Sequence, residues 1–193
     1  MIIAFLLFSA VFLLPILKEA TKQKLGDKER AQAPGKFVTL SKGLVHYRWL
    51  GADTGDLVVC VHGLTTPSFV FEGLASLYTN IGKRVLVYDQ YGRGYSDRPK
   101  AKQDKAFFVN QLEELLNKLE IKKQKFDLVG YSMGGVIATS YSARNPDRVK
   151  RLILIAPAGT GHNLGISARV AKIPLLGWGL FLTFFWTATC SIN

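Results

Sequence analysis

The sequence predicts an α/β fold with a doubly wound, mostly parallel sheet, and two observations predict it. Short apolar runs, which are typical of strands buried on both faces, alternate along the chain with longer segments of helical spacing. A polar residue lies at the end of three of those runs: His62 and Asp89 follow their runs directly, and Ser132 follows its run three residues on. Because ligands bind at the carboxyl ends of the strands in open α/β sheets, we expect these residues at one functional edge.

Six short apolar runs are predicted as strands: residues 37–40, 44–50, 57–61, 84–88, 126–129 and 152–155. The first two flank a Ser-Lys-Gly turn at 41–43, which predicts a hairpin. His46 alternates with Val45 and Tyr47 in the second run. We therefore expect His46 to face solvent from its strand, and not to act as a ligand.

Three segments have the spacing of amphipathic helices: residues 69–81, 106–121 and 133–143. The pattern is strongest in the middle one, where Phe108, Leu112, Leu115 and Leu119 recur three or four residues apart. Asp104 precedes this helix and is a candidate N-cap. Such apolar stripes usually face a protein core, so we do not interpret this one as a cofactor site.

The most specific motif is a G-x-S-x-G, which runs from Gly130 to Gly134 between an apolar run and a helical segment. In that context Ser132 is expected at the apex of a tight turn, with its hydroxyl exposed above the sheet. Glycine is required on both sides because the strand–helix junction is crowded there. On the five residues alone, Ser132 could instead be a simple helix cap.

A second pattern, His62-Gly63-Leu64, follows the buried run 57–61. A His-Gly at a strand end upstream of a serine turn fits a loop that supplies an oxyanion-hole N–H. Gly63 would let the backbone approach, and the N–H groups of Leu64 and Met133 would be the two donors. We expect His62 to hold this loop together and not to be the catalytic base.

Composition limits the other functions of this chain. Its 193 residues are 48% hydrophobic and 20% charged, which suits one globular domain. The net charge is +11, but no aromatic-interleaved basic patch accompanies it, so nucleic acid is not an expected partner. Its two cysteines, Cys60 and Cys190, have no disulfide or metal spacing. No metal or organic cofactor is expected.

Residues 1–17 form an uncharged apolar run at the short end of what a membrane-spanning helix needs. We interpret it as an uncleaved N-terminal anchor, followed by a charged linker at 18–35. Basic residues outnumber acidic ones in the linker, so by the positive-inside tendency we expect the following domain in the cytoplasm. A cleaved signal and an exported or periplasmic enzyme is the alternative.

Three stretches resemble bacterial α/β-hydrolase fold enzymes of the esterase or lipase kind: VCVHGLTTPSFVFEGL, VYDQYGRGYSDRP and DLVGYSMGGVIATSYSARNPDRVKRLILIAPAG. The resemblance covers about residues 37–159. It implies an α/β-hydrolase core at 36–158, Ser132 as nucleophile and Leu64 and Met133 as oxyanion donors. Asp89 and residues 92–96 would form a supporting loop. Residues 159–193 would begin a helical cap, although residues 173–186 could instead be a second membrane span.

The chain departs from the family pattern after its serine. The family's order is Ser, then Asp or Glu, then His, but residues 148–193 contain no Asp or Glu. The one downstream histidine, His162, has no carboxylate after it to orient it. We therefore expect the chain to be the N-terminal part of a longer hydrolase, with the sheet incomplete at its C-terminus.

Two functions follow from these observations. The first is a serine hydrolase that cleaves a carboxylic ester or a related acyl bond in a small-molecule or lipid-like substrate. The second is a catalytically inactive, hydrolase-like binding module at a membrane, suggested by the missing acid and base. The sequence does not indicate an oligomeric state.

Overall fold

The computed structural model describes residues 25–121 and 124–159. The predicted anchor at 1–17 lies outside the described residues, as do the predicted cap from residue 160 onward and the alternative second span at 173–186. Asp27–Thr160 packs as one compact unit. Within the described residues, no helix combines the length and the apolar character that a membrane crossing requires.

The described residues form a six-stranded sheet. Its strands are β1 (Lys36–Leu40), β2 (Gly43–Leu50), β3 (Leu57–Val61), β4 (Arg84–Tyr88), β5 (Phe126–Tyr131) and β6 (Val149–Ile155). They lie in the order β1-β2-β4-β3-β5-β6. β1 and β2 form the predicted hairpin, and β2 is also antiparallel to β4. The remaining pairs are parallel, which confirms the mostly parallel sheet.

Four helices lie outside the sheet, and three of them connect its parallel strands. The helix α1 (Asp27–Ala31) precedes β1, whereas α2 (Glu72–Asn80), α3 (Lys105–Lys118) and α4 (Met133–Arg144) are the connecting helices, with a 3-10 turn at Ser68–Phe71. The side chain of Asp104 accepts a hydrogen bond from the N–H of Phe107 at 3.0 Å, so the predicted cap of α3 is confirmed. The short helix α1 falls inside the segment that we expected to be a linker.

β3 shows how the two faces of the sheet are covered. All its residues are buried, and alternate side chains point to opposite faces. Val59 and Val61 pack with α3 and α4, whereas Val58 and Cys60 pack with the 3-10 turn and α2. The sheet is therefore covered by helices on both faces, as the doubly wound fold class predicts. Burial also raises the pKa of the Cys60 thiol to about 12.

Two helix boundaries differ from the prediction. Residues 69–81, expected as one helix, divide into the 3-10 turn and α2. The N–H of Ser68 donates to the Asp89 carboxylate at 2.8 Å, which fixes this turn at the sheet edge before α2 begins. The helix expected to reach residue 121 ends at Lys118 because Glu120 adopts a left-handed φ of 58°. Ile121 then turns into the core.

Candidate functional site

Ser132 lies between the end of β5 and the start of α4, at a sharp turn of the backbone. Its φ of 53° and ψ of −119° are unfavourable for a residue with a side chain. A strand, a strained turn and a helix are the context in which G-x-S-x-G presents a serine above the sheet. The structure therefore contains the expected turn, and the role of Ser132 as nucleophile stays a prediction.

The two glycines of the motif occupy positions with no room for a side chain. A Cβ on Gly134 would lie 2.0 Å from the carbonyl oxygen of Val61, and one on Gly130 would lie 2.6 Å from that of Gly134. Glycine at both positions lets the start of α4 approach the ends of β3 and β5. The position of Ser132 thus depends on these two glycines.

The simpler interpretation of Ser132 as a helix cap is wrong. Ser132 occupies the N-cap position of α4, but its side chain makes no capping hydrogen bond. A capping serine would accept a hydrogen bond from an N–H in the first turn of the helix. The hydroxyl therefore remains available for chemistry.

Gly63 brings the loop after β3 directly against Ser132. A Cβ on Gly63 would lie 3.2 Å from the Cβ of Ser132 and 3.4 Å from the ring of Tyr131. The backbone of this loop and the turn of Ser132 are thus in contact. This proximity is what an oxyanion hole built from Leu64 and Met133 N–H groups requires.

The hydrogen bonds of His62 define its tautomer. The backbone N–H of Gln90 can only donate, so Nε2 of His62, 2.9 Å away, is the acceptor. Nδ1 then carries the hydrogen and donates to the carbonyl oxygen of Gly63 at 2.7 Å. Burial lowers the pKa of this histidine to about 4, so the ring is neutral at physiological pH. Both nitrogens are engaged, and neither can take a proton from Ser132.

The hydrogen bond from His62 also orients a peptide group. The carbonyl of Gly63 and the N–H of Leu64 belong to the same trans peptide and point in opposite directions. Holding the carbonyl therefore directs the Leu64 N–H away from the imidazole. On its other side, the Leu64 carbonyl accepts from Nε of Arg93 at 3.2 Å.

Asp89 is a buried carboxylate with several donors. One oxygen accepts from the N–H of Ser68, and the other from the N–H of Tyr95 at 3.0 Å and from Nδ1 of His46 at 2.8 Å. Burial raises the pKa of this carboxyl, but the hydrogen bonds outweigh burial and leave the pKa below its ordinary value. Gly94 packs on the same carboxylate, since a Cβ there would lie 2.1 Å from Oδ2.

The expectation that His46 faces solvent is wrong. Its side chain is 2% exposed and lies between Asp89 and the carbonyl of Pro34, which is 2.5 Å from Nε2. The alternating pattern failed because Val45, His46 and Tyr47 are all buried, so both faces of β2 are covered at this point. His46 is a structural partner of Asp89.

Sequence reasoning also missed two buried glutamines. Gln90 donates from Nε2 to the carbonyl of His62 at 2.5 Å. Gln111 accepts from the N–H of Tyr91 at 3.0 Å and donates to the carbonyl of Asp89 at 3.2 Å. A signal for Gln111 was present, because it is a polar residue within the apolar stripe of α3. Together they hold the loop after β4 against β3 and α3.

No group of three or more His, Cys, Asp or Glu side chains in the described residues could hold a metal ion. The arrangement that those residues do form consists of a partly buried serine in a strained turn and a neighbouring loop with an oriented peptide N–H. This combination defines a class of proteins: α/β folds with a serine nucleophile turn at the carboxyl edge of the sheet.

The chain belongs to the alpha/beta hydrolase fold family, whose sequence model matches residues 56–177. It is 32% identical over 125 residues to a cis-3-alkyl-4-alkyloxetan-2-one decarboxylase of Shewanella oneidensis, a match that covers 62% of this chain and 37% of that protein. The chain spans about a third of the length of the curated relatives it matches.

Solved structures show the same fold. A hydrolase from Pseudomonas aeruginosa superposes with a TM-score of 0.62 and 26% identity, over 72% of this chain and 51% of that one. An esterase from Exiguobacterium antarcticum gives a TM-score of 0.59 and 28% identity, over 65% of this chain and 46% of that one. The α/β-hydrolase resemblance predicted from the sequence is confirmed.

Proposed function

We propose that this protein is a serine hydrolase that cleaves a carboxylic ester or a related acyl bond, with Ser132 as its nucleophile. The observation that carries the proposal is the conformation of Ser132. Its backbone is strained, its side chain makes no capping hydrogen bond, and it lies against Gly63. Strain of this kind is retained where it positions a reacting group.

In the proposed reaction, Oγ of Ser132 bonds to the substrate carbonyl carbon as its proton passes to a base. The carbonyl oxygen becomes an oxyanion that accepts hydrogen bonds from the N–H groups of Leu64 and Met133. Collapse of this intermediate breaks the ester bond, and the leaving alcohol takes the proton. Water then attacks the acyl-enzyme in the same way, releasing the acid and restoring the Ser132 hydroxyl.

The hydrogen bonds of the described residues support the two proposed donors. None of those bonds uses the N–H of Leu64 or of Met133. Met133 begins α4, so its N–H belongs to the unpaired first turn, where the helix dipole also favours negative charge.

The base lies outside the described residues in this proposal. The two described histidines, His46 and His62, are buried and have both ring nitrogens engaged. A serine hydroxyl at its ordinary pKa is a weak nucleophile and needs an adjacent base.

An ester substrate with an apolar part is favoured by exposed apolar side chains in the segment that follows β3. Three apolar side chains in the segment after β3 are exposed: Leu64 (45%), Phe69 (54%) and Val70 (36%). The names of two relatives fit this class, since one is an esterase and an oxetan-2-one is a cyclic ester. Placement of this enzyme at the cytoplasmic face of a membrane by residues 1–17 stays a prediction from the sequence.

The test is Ser132→Ala in the protein as its gene encodes it, with Ser140→Ala in the following helix α4 as the matched control. We expect the wild-type protein and the control to hydrolyse p-nitrophenyl esters and to be labelled by a fluorophosphonate at Ser132, as located by mass spectrometry. Ser132→Ala should lose both properties. Ester turnover that survives in Ser132→Ala contradicts the proposal.

The engaged histidines favour a second candidate, a catalytically inactive module that binds an ester-like ligand. The same experiment separates the two. A wild-type protein that is folded, hydrolyses no ester and is not labelled at Ser132 would support the binding module.

A further inference from the structure

The chain turns sharply at the ends of the neighbouring strands β5 and β6. Tyr131 and Ile155 are register partners in the parallel pair, and the residues that follow them, Ser132 and Ala156, both have positive φ, 53° and 42°. Within the described residues, Glu120 is the one other non-glycine with positive φ. Two of three such positions are thus neighbours, which indicates that the turn after β6 and the turn of Ser132 support each other.

The last residue of β6 and the turn after it hold both peptide groups of Ser132. The N–H of Ser132 donates to the carbonyl of Ile155 at 3.0 Å. In return, the N–H of Ala158 donates to the carbonyl of Ser132, also at 3.0 Å. We call residues 155–158 the β6 turn. It also fills the space beside α4, since a Cβ on Gly135 would lie 2.7 Å from the Cβ of Pro157.

The hydrogen bond from the Ala158 N–H is made to the Ser132–Met133 peptide group, whose N–H is a proposed oxyanion donor. The carbonyl of Ser132 and the N–H of Met133 are the two ends of one peptide group, and they point in opposite directions. A donor on the carbonyl therefore orients the Met133 N–H and polarises it, because hydrogen bonds in series strengthen one another. His62 acts on the Gly63–Leu64 peptide in the same way.

We propose that the backbone N–H of Ala158 is a positioning group for catalysis, which directs the Met133 N–H at the developing oxyanion. The inference rests on the proposed role of Ser132. The Ser132 carbonyl also accepts from the N–H of Gly135 at 2.9 Å. Loss of the Ala158 donor therefore leaves the carbonyl with one partner and misaligns the Met133 donor, without unfolding the start of α4.

The test removes this one N–H in the protein as its gene encodes it. Ala158→Pro deletes the donor, and Ala158→Gly is the matched control that keeps it. We expect Ala158→Pro to lower kcat for a p-nitrophenyl ester by about 10-fold or more, short of the roughly 10²–10³-fold loss of a whole donor. KM should stay within about two-fold, because the bound substrate carries no oxyanion before Ser132 attacks it. Ala158→Gly should keep both constants.

A second readout distinguishes positioning from general destabilisation. A trifluoromethyl ketone, which forms an oxyanion on Ser132, should bind Ala158→Pro more weakly by the same factor as kcat falls. If Ala158→Pro does not fold, lactic acid at position 158 replaces the amide with an ester and deletes the N–H in the original shape. Unchanged kcat in a folded variant without this N–H, or an equal loss in Ala158→Gly, would overturn the inference. Absence of Ser132-dependent turnover in the wild type would overturn the proposed function itself.

Discussion

Oδ2 of Asp89 lies 2.8 Å from Nδ1 of His46, and each of these side chains is 2% exposed. The same carboxylate accepts from the N–H groups of Ser68 and Tyr95. One buried group thus joins β2, the 3-10 turn at Ser68–Phe71 and the loop after β4. Because Gln90, the residue after Asp89, is hydrogen-bonded to His62, the rigidity of the proposed site depends on this carboxylate.

Replacing Asp89 by asparagine should be strongly destabilising. The amide has one acceptor oxygen and presents hydrogens where the carboxylate accepted bonds from three donors. We expect a loss of about 3–5 kcal/mol in the free energy of unfolding, as is typical when one partner of a buried pair is lost. Urea unfolding followed by tryptophan fluorescence measures it.

The matched control is Glu72→Gln. Glu72 is 60% exposed and pairs with Arg48 at 2.8 Å on the surface. Exposed pairs contribute about 0–1 kcal/mol, so this variant should unfold near the wild-type midpoint. Equal effects of the two substitutions would show that Asp89 is not a structural centre.

Two replacements of His62 should have different catalytic effects. Asparagine can place an N–H near the position of Nδ1 and keep the bond to the Gly63 carbonyl. Glutamine can place an oxygen near Nε2, which accepts from Gln90 and leaves Gly63 without its donor. Loss of a whole oxyanion-hole donor lowers kcat by about 10²–10³-fold, and a misoriented Leu64 N–H loses part of that effect. We therefore expect kcat to fall about 10-fold further in His62→Gln than in His62→Asn.

Steady-state ester hydrolysis measures this difference, and thermal unfolding midpoints of the two variants show whether they are equally folded. A His62→Gln variant as active as His62→Asn would contradict the orienting role of Nδ1.

The depressed pKa of His62 predicts a pH dependence of stability. The folded-state pKa is about 4, against about 6.5 in an unfolded chain. Between these values the unfolded state binds more protons, so the free energy of unfolding decreases as pH falls from about 6.5 to 4. The full contribution of His62 to this decrease is about 3 kcal/mol.

Urea unfolding of wild type and His62→Asn at pH 7, 6, 5 and 4 checks this prediction. The variant lacks the titrating ring, so its stability should decrease less steeply and approach that of wild type at pH 4. If the free energy of unfolding fell equally with pH in the two proteins, the depressed pKa of His62 would be contradicted.

Two helical glycines should respond in opposite directions to alanine. In α4, a Cβ on Gly134 would lie 2.0 Å from the Val61 carbonyl, so Gly134→Ala should destabilise by about 1–3 kcal/mol or more. In α2, nothing lies within 4 Å of a Cβ on Gly73. Gly73→Ala should stabilise by about 0.5–1 kcal/mol, because alanine favours the helix. Thermal unfolding midpoints from calorimetry would distinguish the two variants. A Gly134→Ala variant with an unchanged midpoint would contradict the crowded strand–helix junction.

Much of the fold was predictable because its signals are local. The runs of β3 and β4 are buried over their whole lengths apart from Arg84, and their bounds agree with the sequence pattern. The helix after Asp104 began where its cap indicated. Helix ends were less predictable, because the left-handed conformation of Glu120 depends on how the chain enters the core toward Ile121.

The sequence by itself determined the strand–turn–helix at Ser132, since the apolar run and the two glycines needed there are all within a few residues. Only the tertiary structure decided which groups hold that turn. His46 lies 43 residues from Asp89, and Gln90 lies 28 residues from the His62 ring whose tautomer it defines. The β6 turn holds Ser132 through hydrogen bonds between backbone groups. Such partners have no signature in residue type or spacing, because hydrogen bonds between distant segments exist only once the sheet has brought those segments together.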